Sequence, residues 1–343
     1  MTQQAGTNKG IVLTLANQKG GVTKTTTSIN LAMMLTLMGC KVLMVDCDPQ
    51  GNATFAYGYT RELLTRTLYS ILLGQLSLKE AILPTYVHPV TNMFFDPQEK
   101  VDPQNPASET ILQEVTRQQL PLMRGPDLLP INIQASRAEN ELRQRISGAT
   151  ALKRALQSAR QVYDYIVCDT NPSLGILTIN ALCASDYVCI PLVPELLAVQ
   201  GLRDLLSTIE EAQQEANPGL QIVGVIFTKV KNYRSHKDMI ADLRRELPLK
   251  SFQTEIKESS TFLSAADRRS VIVLSEAYGD HAWAYWQLLA EVLNVIGGVG
   301  KTHIGQVLAT LERERQKIAQ EKRERREQKL KSEDVSLSQQ TSS

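Results

Sequence analysis

Lys19-Gly20-Gly21-Val22-Thr23-Lys24-Thr25-Thr26 sets two adjacent glycines, two lysines and a run of hydroxyl residues into one short stretch. That chemistry suits a phosphate. Gly20 and Gly21 let the backbone turn its amides inward with no Cβ in the way. Those amides, with the N-terminus of a following helix, form a nest for a β-phosphate. Lys24 can reach the β- and γ-phosphates, and the Thr25 hydroxyl suits a Mg²⁺ ligand. Val22, Thr23 and Thr26 complete the loop. The usual pattern has glycine directly before the lysine, where this chain has Thr23.

Two aspartate-bearing segments supply what a phosphate loop by itself lacks. The first is Val45-Asp46-Cys47-Asp48-Pro49-Gln50-Gly51-Asn52, which ends a predicted strand. Ligands bind at the C-terminal edge of such sheets, so both carboxylates are expected to face the loop. Asp46 is assigned to ordering the metal shell and Thr25, and Asp48 to orienting an attacking water. The second is Ile166-Val167-Cys168-Asp169-Thr170-Asn171-Pro172-Ser173. An apolar strand closing on Asp169 is a Walker B pattern, whose carboxylate holds Mg²⁺ through water.

The elements that must position these groups alternate. Ile11 to Ala16 reads as a buried strand, Thr25 to Met38 as a helix, and Lys41 to Asp46 as the next strand. Further strands are expected at Leu128 to Ile131, Tyr165 to Asp169, Tyr187 to Leu192 and Ile222 to Thr228. Helices are expected between them, including Ala149 to Val162 and Gly201 to Glu215. Alternation of this kind predicts an α/β fold: a doubly wound, mostly parallel sheet flanked by helices. Continuously apolar strands such as Val42-Leu43-Met44-Val45 agree with a sheet covered on both faces.

The expected organisation is a flexible N-terminal arm at 1–9, a domain at 10–296, a hinge and charged helical extension at 297–331, and a disordered tail at 332–343. Residues 88–127, proline-rich and weakly periodic, read as an inserted loop with one short helix around Glu109 to Gln119. Gly297-Gly298-Val299-Gly300-Lys301-Thr302 imitates a phosphate loop, but it follows an amphipathic helix instead of a strand and no aspartate-ended strand comes after it. It reads as a glycine hinge. The extension is basic in balance, nine Lys or Arg against five Glu over Glu312 to Lys331.

Composition narrows the classes. The chain has 343 residues, 43% of them hydrophobic, and a net charge of +1. That excludes global disorder and a uniformly basic nucleic-acid coat. No apolar run is long enough to span a bilayer, and the first nine residues lack a signal-peptide core. The five cysteines are scattered with no Cys-x-x-Cys pair, which points to free thiols in a reducing cytoplasm.

Taken together, these motifs resemble the ParA/MinD superfamily of deviant Walker-box ATPases, that is, P-loop NTPases with a deviant Walker A loop. The likeness runs over roughly residues 10 to 296. It implies that Lys19 is the family's signature lysine, which crosses a dimer interface to the partner's nucleotide, so that ATP drives a sandwich homodimer. It also implies that Asp48 is the water-activating aspartate and that ATP and Mg²⁺ are the cofactors. Asp169-Thr170-Asn171-Pro172-Ser173-Leu174-Gly175 is similar to the family's Asp-x-Pro-Pro-Ser-Leu-Gly, with Asn171 in place of the first proline. Arg66 to Gly74 and Leu128 to Asn132 are similar to partition-type members. The C-terminal helix has almost no apolar face, unlike the membrane helix of MinD.

The resemblance further implies nonspecific DNA binding, hence a cytoplasmic, nucleoid-associated protein, with a ParB-like or adaptor protein that stimulates slow hydrolysis. Basic candidates for DNA are Lys231, Arg234, Arg244, Arg245, Lys257, Arg268 and Arg269, with Lys229, Lys237 and Lys250 beside them. Three functions stay open at this point: partition of plasmid or chromosomal DNA, positioning of a protein cargo over the nucleoid, and a regulatory or metabolic ATPase that does not bind DNA.

Overall fold

A computed structural model describes residues 9–88, 91–96, 122–195, 198–247 and 249–340. Its main sheet has six strands: β1 (Ile11–Leu15), β2 (Val42–Cys47), β6 (Asp127–Leu129), β7 (Tyr165–Thr170), β8 (Tyr187–Leu192) and β9 (Gln221–Phe227). Their order is β6-β2-β7-β1-β8-β9, and every pairing is parallel. After β1 the chain builds one half of the sheet through β2, β6 and β7, and then crosses to β8 and β9 on the other side. The reversal beside β1 is the crevice where open α/β sheets bind ligands.

Helix α1 (Lys24–Leu37) follows β1 directly. It is buried on nearly all sides, from Thr27 through Leu35, because it lies between the sheet and a C-terminal helical layer. After the short α2 (Asn52–Ala56) come helices α3 (Ile176–Ala184), α4 (Ala198–Glu215), α5 (Arg234–Glu246), α6 (Thr261–Asp267), α7 (Ile272–Ser275), α8 (Asp280–Ile296) and α9 (Ile304–Gln340); α6 to α8 form the layer that covers α1, whereas α3 to α5 pack on the opposite face. One apolar cluster joins β1, α1, β2 and the α8 residues Tyr285, Leu288, Leu289, Val292 and Leu293. A second, on the other face, joins β2, β7 and α3. The five cysteines are buried and free.

The structure departs from the sequence expectations in four places. Ala149 to Val162 is not one helix. Only Ala151–Ala155 is α-helical, with tighter 3₁₀ turns at Gly148–Thr150 and Ala159–Gln161. The tightened end carries buried Arg160 to Asp186 (2.8 Å) and to the carbonyls of Gly10 and Ala184. This charge-assisted fork under the sheet prevails over helical periodicity. The 88–127 segment is bounded by structure, since β4 (Phe94–Phe95) and β5 (Met123–Arg124) flank β3 (Tyr86–Val87) in a small antiparallel sheet. The helix expected around Glu109 to Gln119 lies outside the described residues.

The remaining two concern the C-terminus. The glycine segment at 297–302 is a packed turn. Tyr165 donates to the Gly297 carbonyl (3.0 Å) and accepts from the Gly300 amide (3.2 Å). A Cβ on Gly298 would meet the Tyr165 oxygen at 2.2 Å. Because Tyr165 opens β7, this turn sits at the opposite sheet edge from Lys24. Helix α9 then continues to Gln340 instead of ending at 331, since no Gly or Pro after Lys331 breaks it.

Candidate nucleotide site

The loop between β1 and α1 is built from short side-chain-to-backbone contacts. Asn17 accepts from the Lys19 amide (2.9 Å) and is itself tied to the Pro191 carbonyl at the end of β8. Gly21 adopts φ 71° and Thr23 φ 62°. The first is open to glycine, whereas the second strains a threonine by roughly 1–2 kcal/mol. The Thr228 hydroxyl, just past β9, donates to the Val22 carbonyl at 3.0 Å and pins the loop from the far half of the sheet. Lys24 donates to the Lys19 carbonyl at 3.0 Å. Burial lowers its pKa, and Asp169 and Asp48 oppose that shift.

The Asp46 to Asn52 segment uses the same local device twice. The Asp48 amide donates to Asp46 (3.1 Å) and the Gln50 amide to Asp48 (3.0 Å), each carboxylate closing a turn onto the residue two ahead. Asp46 also accepts from the amide and hydroxyl of Thr54, both at 2.8 Å. With three accepted hydrogen bonds it braces α2. Asp46, expected to order the metal shell, also holds the loop that carries Asp48.

Asp169 lies in the parallel register directly opposite Asp46, and both are fully buried. Burial pushes Asp46 up to about 7 against its hydrogen bonds from Thr54. It pushes Asp169 up to about 8, with Asp46 adding repulsion. Ser28 donates to Asp169 Oδ1 at 3.0 Å. Thr25 faces the same carboxyl, yet Oδ2 is buried with no partner of good geometry.

A cavity of about 670 Å³ opens over these groups. The loop from Gly20 to Thr26 and Asp48 form its floor. Gln50, Asn52 and Phe55 line one side, and Lys229, Glu258, Ser259, Phe262 and Asp267 another. Among the described residues no three His, Cys, Asp or Glu side chains converge to cage a metal. The donor set is instead the Thr25 hydroxyl with the orphaned Asp169 oxygen behind it, hard oxygen ligands that suit Mg²⁺ when phosphate oxygens complete its shell. Residues 20–26, 48 and 169 are thus brought together. Sequence reasoning does not reach the lining from Gln50 to Phe55 and from Lys229 to Asp267, and it places Lys229 among the candidates for DNA.

Lys19 stands apart. Its ammonium is ion-paired with Glu195, in the segment after β8, and does not line its own chain's cavity. The pairing holds the Glu195 carboxyl below its usual range.

The basic candidates scatter. Arg244 donates to the carbonyls of Phe252 and Gln253, pairs with Glu255 and covers the Phe227 ring. Arg269 donates to the Gly58 carbonyl (2.9 Å) and the Thr60 hydroxyl (3.2 Å) and covers Phe55. Both are part-buried clamps whose guanidinium groups are engaged within the chain. Lys231 pairs with Glu258 at 3.4 Å, Arg234 with Asp238 at 3.7 Å, and Arg245 with Asp242 at 2.7 Å. Lys257 and Arg268 are exposed. No helix among the described residues is long and apolar enough to cross a membrane.

Comparison with known proteins supplies relatives. A family model described as an AAA domain matches residues 10–99 and 99–222. The sporulation initiation inhibitor protein Soj of Bacillus subtilis is 35% identical over 285 residues, 82% of this chain and 98% of Soj. The chromosome partitioning protein ParA of Caulobacter vibrioides is 32% identical over 286 residues, 82% of this chain and 94% of the relative. Among solved structures, cobyrinic acid a,c-diamide synthase of Mycobacterium smegmatis with ADP and magnesium superposes with a TM-score of 0.59. It is 31% identical, over 76% of this chain and 91% of that one, and the same protein is known with an ATP analogue and magnesium.

Proposed function

This chain belongs to the ParA/MinD superfamily of deviant Walker-box partition ATPases, and from that premise we propose that it runs an ATP-timed cycle in which two copies share their nucleotide sites. ATP and Mg²⁺ are its cofactors. Gly20 to Thr26 hold the phosphates, Lys24 sets a buried cation beside them, and Thr25 with Asp169 would hold the metal, which would supply charge neutralisation for phosphoryl transfer. Asp48 lines the cavity, fixed by its bond from the Gln50 amide, where it orients the attacking water.

The observation that supports sharing is the position of Lys19. Its backbone belongs to the phosphate loop, yet its ammonium lies outside its own cavity on Glu195. An exposed pair of this kind contributes about 0–1 kcal/mol. A phosphate across a dimer interface, drier and more highly charged, readily displaces it. With the trans lysine absent from a lone chain, turnover is slow until a second copy, and then a partner protein, completes the site.

The dimer is proposed to bind DNA nonspecifically through Lys231, Arg234, Arg245, Lys257 and Arg268, in a cytoplasmic, nucleoid-associated role. The chromosome-partitioning name of the Caulobacter relative favours a DNA cargo over a protein cargo. The deciding experiment is size measurement with ATP and with ADP. Wild type should dimerise with ATP alone and Lys19→Ala with neither. Absence of an ATP-induced dimer in wild type would remove the shared-site model. DNA retention that is salt-dependent and requires ATP excludes a regulatory or metabolic ATPase without DNA.

A further inference from the structure

Lys229 follows β9 directly, where the sequence offers only a run of basic residues. Its backbone is left-handed, with φ 49°, a conformation costly for a residue with a Cβ. Such strain persists only where the surroundings enforce it, and here they do so on both sides. The Thr228 hydroxyl donates to the Val22 carbonyl in the phosphate loop (3.0 Å). The Val230 amide donates to the Ile256 carbonyl (3.0 Å), and the Glu258 amide donates to the Val230 carbonyl (3.2 Å).

Pinned in this way, Lys229 lines the cavity. Its ammonium lies 3.8 Å from the point that a Cβ on Gly21 would occupy. The nearby carboxylate of Glu258 pairs with Lys231 at 3.4 Å. Among the described residues no carboxylate forms an ion pair with Lys229. A half-buried ammonium without a counterion, beside a glycine whose amide belongs to an anion nest, is arranged for an anionic ligand.

We propose that Lys229 is a further phosphate-binding residue of this site, contributed by the chain's own β9 end, which contacts the terminal phosphates of a nucleoside triphosphate beside Gly21. The proposal rests on the nucleotide reading of the cavity. It gives the loop a second cis cation in addition to Lys24, and it takes Lys229 out of the DNA-facing set.

The test measures binding of fluorescent ATP and ADP, each with Mg²⁺, to the full-length chain and its Lys229→Asn and Lys229→Arg variants, with Lys24→Ala as control. Asparagine tolerates the left-handed backbone, so Lys229→Asn removes the charge without adding strain. ATP affinity should fall roughly tenfold or more, as for one lost charge-assisted hydrogen bond, ADP affinity should fall less, and the nucleotide-free melting temperature should hold. Lys229→Arg should recover most of the ATP affinity. Unchanged ATP affinity in Lys229→Asn overturns the proposal, as does an equal loss for both nucleotides with a lower melting temperature. So does intact nucleotide binding with lost DNA retention. Wild type that binds neither nucleotide would instead bring down the nucleotide reading itself.

Discussion

Asp46 and Asp169 face each other across the parallel pairing of β2 and β7, both fully buried, and Asp46 accepts three hydrogen bonds whereas Asp169 Oδ2 has no partner of good geometry. The two acids therefore do different work. Asp46 braces the loop that carries Asp48, and Asp169 leaves one buried oxygen without a hydrogen bond. Asp46→Ala leaves three buried donors without their acceptor, and folding stability should fall by about 3 kcal/mol or more. Thermal unfolding of the nucleotide-free chain measures this, and an unchanged midpoint would refute the brace.

Lys24 and Asp48 should separate binding from turnover. Lys24→Ala is expected to abolish ATP binding, because no other group holds a buried cation within the loop itself. Asp48→Ala should bind ATP within a few-fold of wild type while hydrolysis is lost. Binding titrations beside a phosphate-release assay distinguish the two, and normal turnover in Asp48→Ala would overturn its assignment.

The tie between Lys19 and Glu195 is exposed and weak. Glu195→Ala should therefore shift ATP-driven dimerisation by less than about tenfold, whereas Lys19→Ala should abolish it. A Glu195→Ala variant that dimerises fully without nucleotide would show that the pair is a lock instead of a resting contact.

Arg269 and Lys257 carry the same charge, yet Arg269 is engaged within the chain and Lys257 is exposed. Arg269→Ala loses its hydrogen bonds to Gly58 and Thr60 and its place over Phe55, so stability should drop by roughly 2 kcal/mol or more. Combined Arg234→Ala, Lys257→Ala and Arg268→Ala should leave the melting temperature intact. It should reduce the salt slope of DNA binding by about one for each charge that contacts phosphate. An unchanged slope would place the DNA contact elsewhere, with the basic extension the next region to test.

The sequence by itself determined what is contiguous. A glycine loop between an apolar strand and a helix is read from local periodicity and chain stiffness, and so are the aspartates that close β2 and β7. These motifs carried the sheet class, the cofactors and the family. Only tertiary structure decided what depends on residues far apart in the chain. Lys229 lies over Gly21 because β9 is stitched to the loop through Thr228 and Val22. Arg269 is engaged within the chain because the segment after α6 brings it to the Gly58 carbonyl and the Thr60 hydroxyl. Residues 149–162 give up a regular helix to bury Arg160 against Asp186. Charge and periodicity describe each residue's own preference, whereas burial, pairing and the direction of a side chain are set by the elements packed against it.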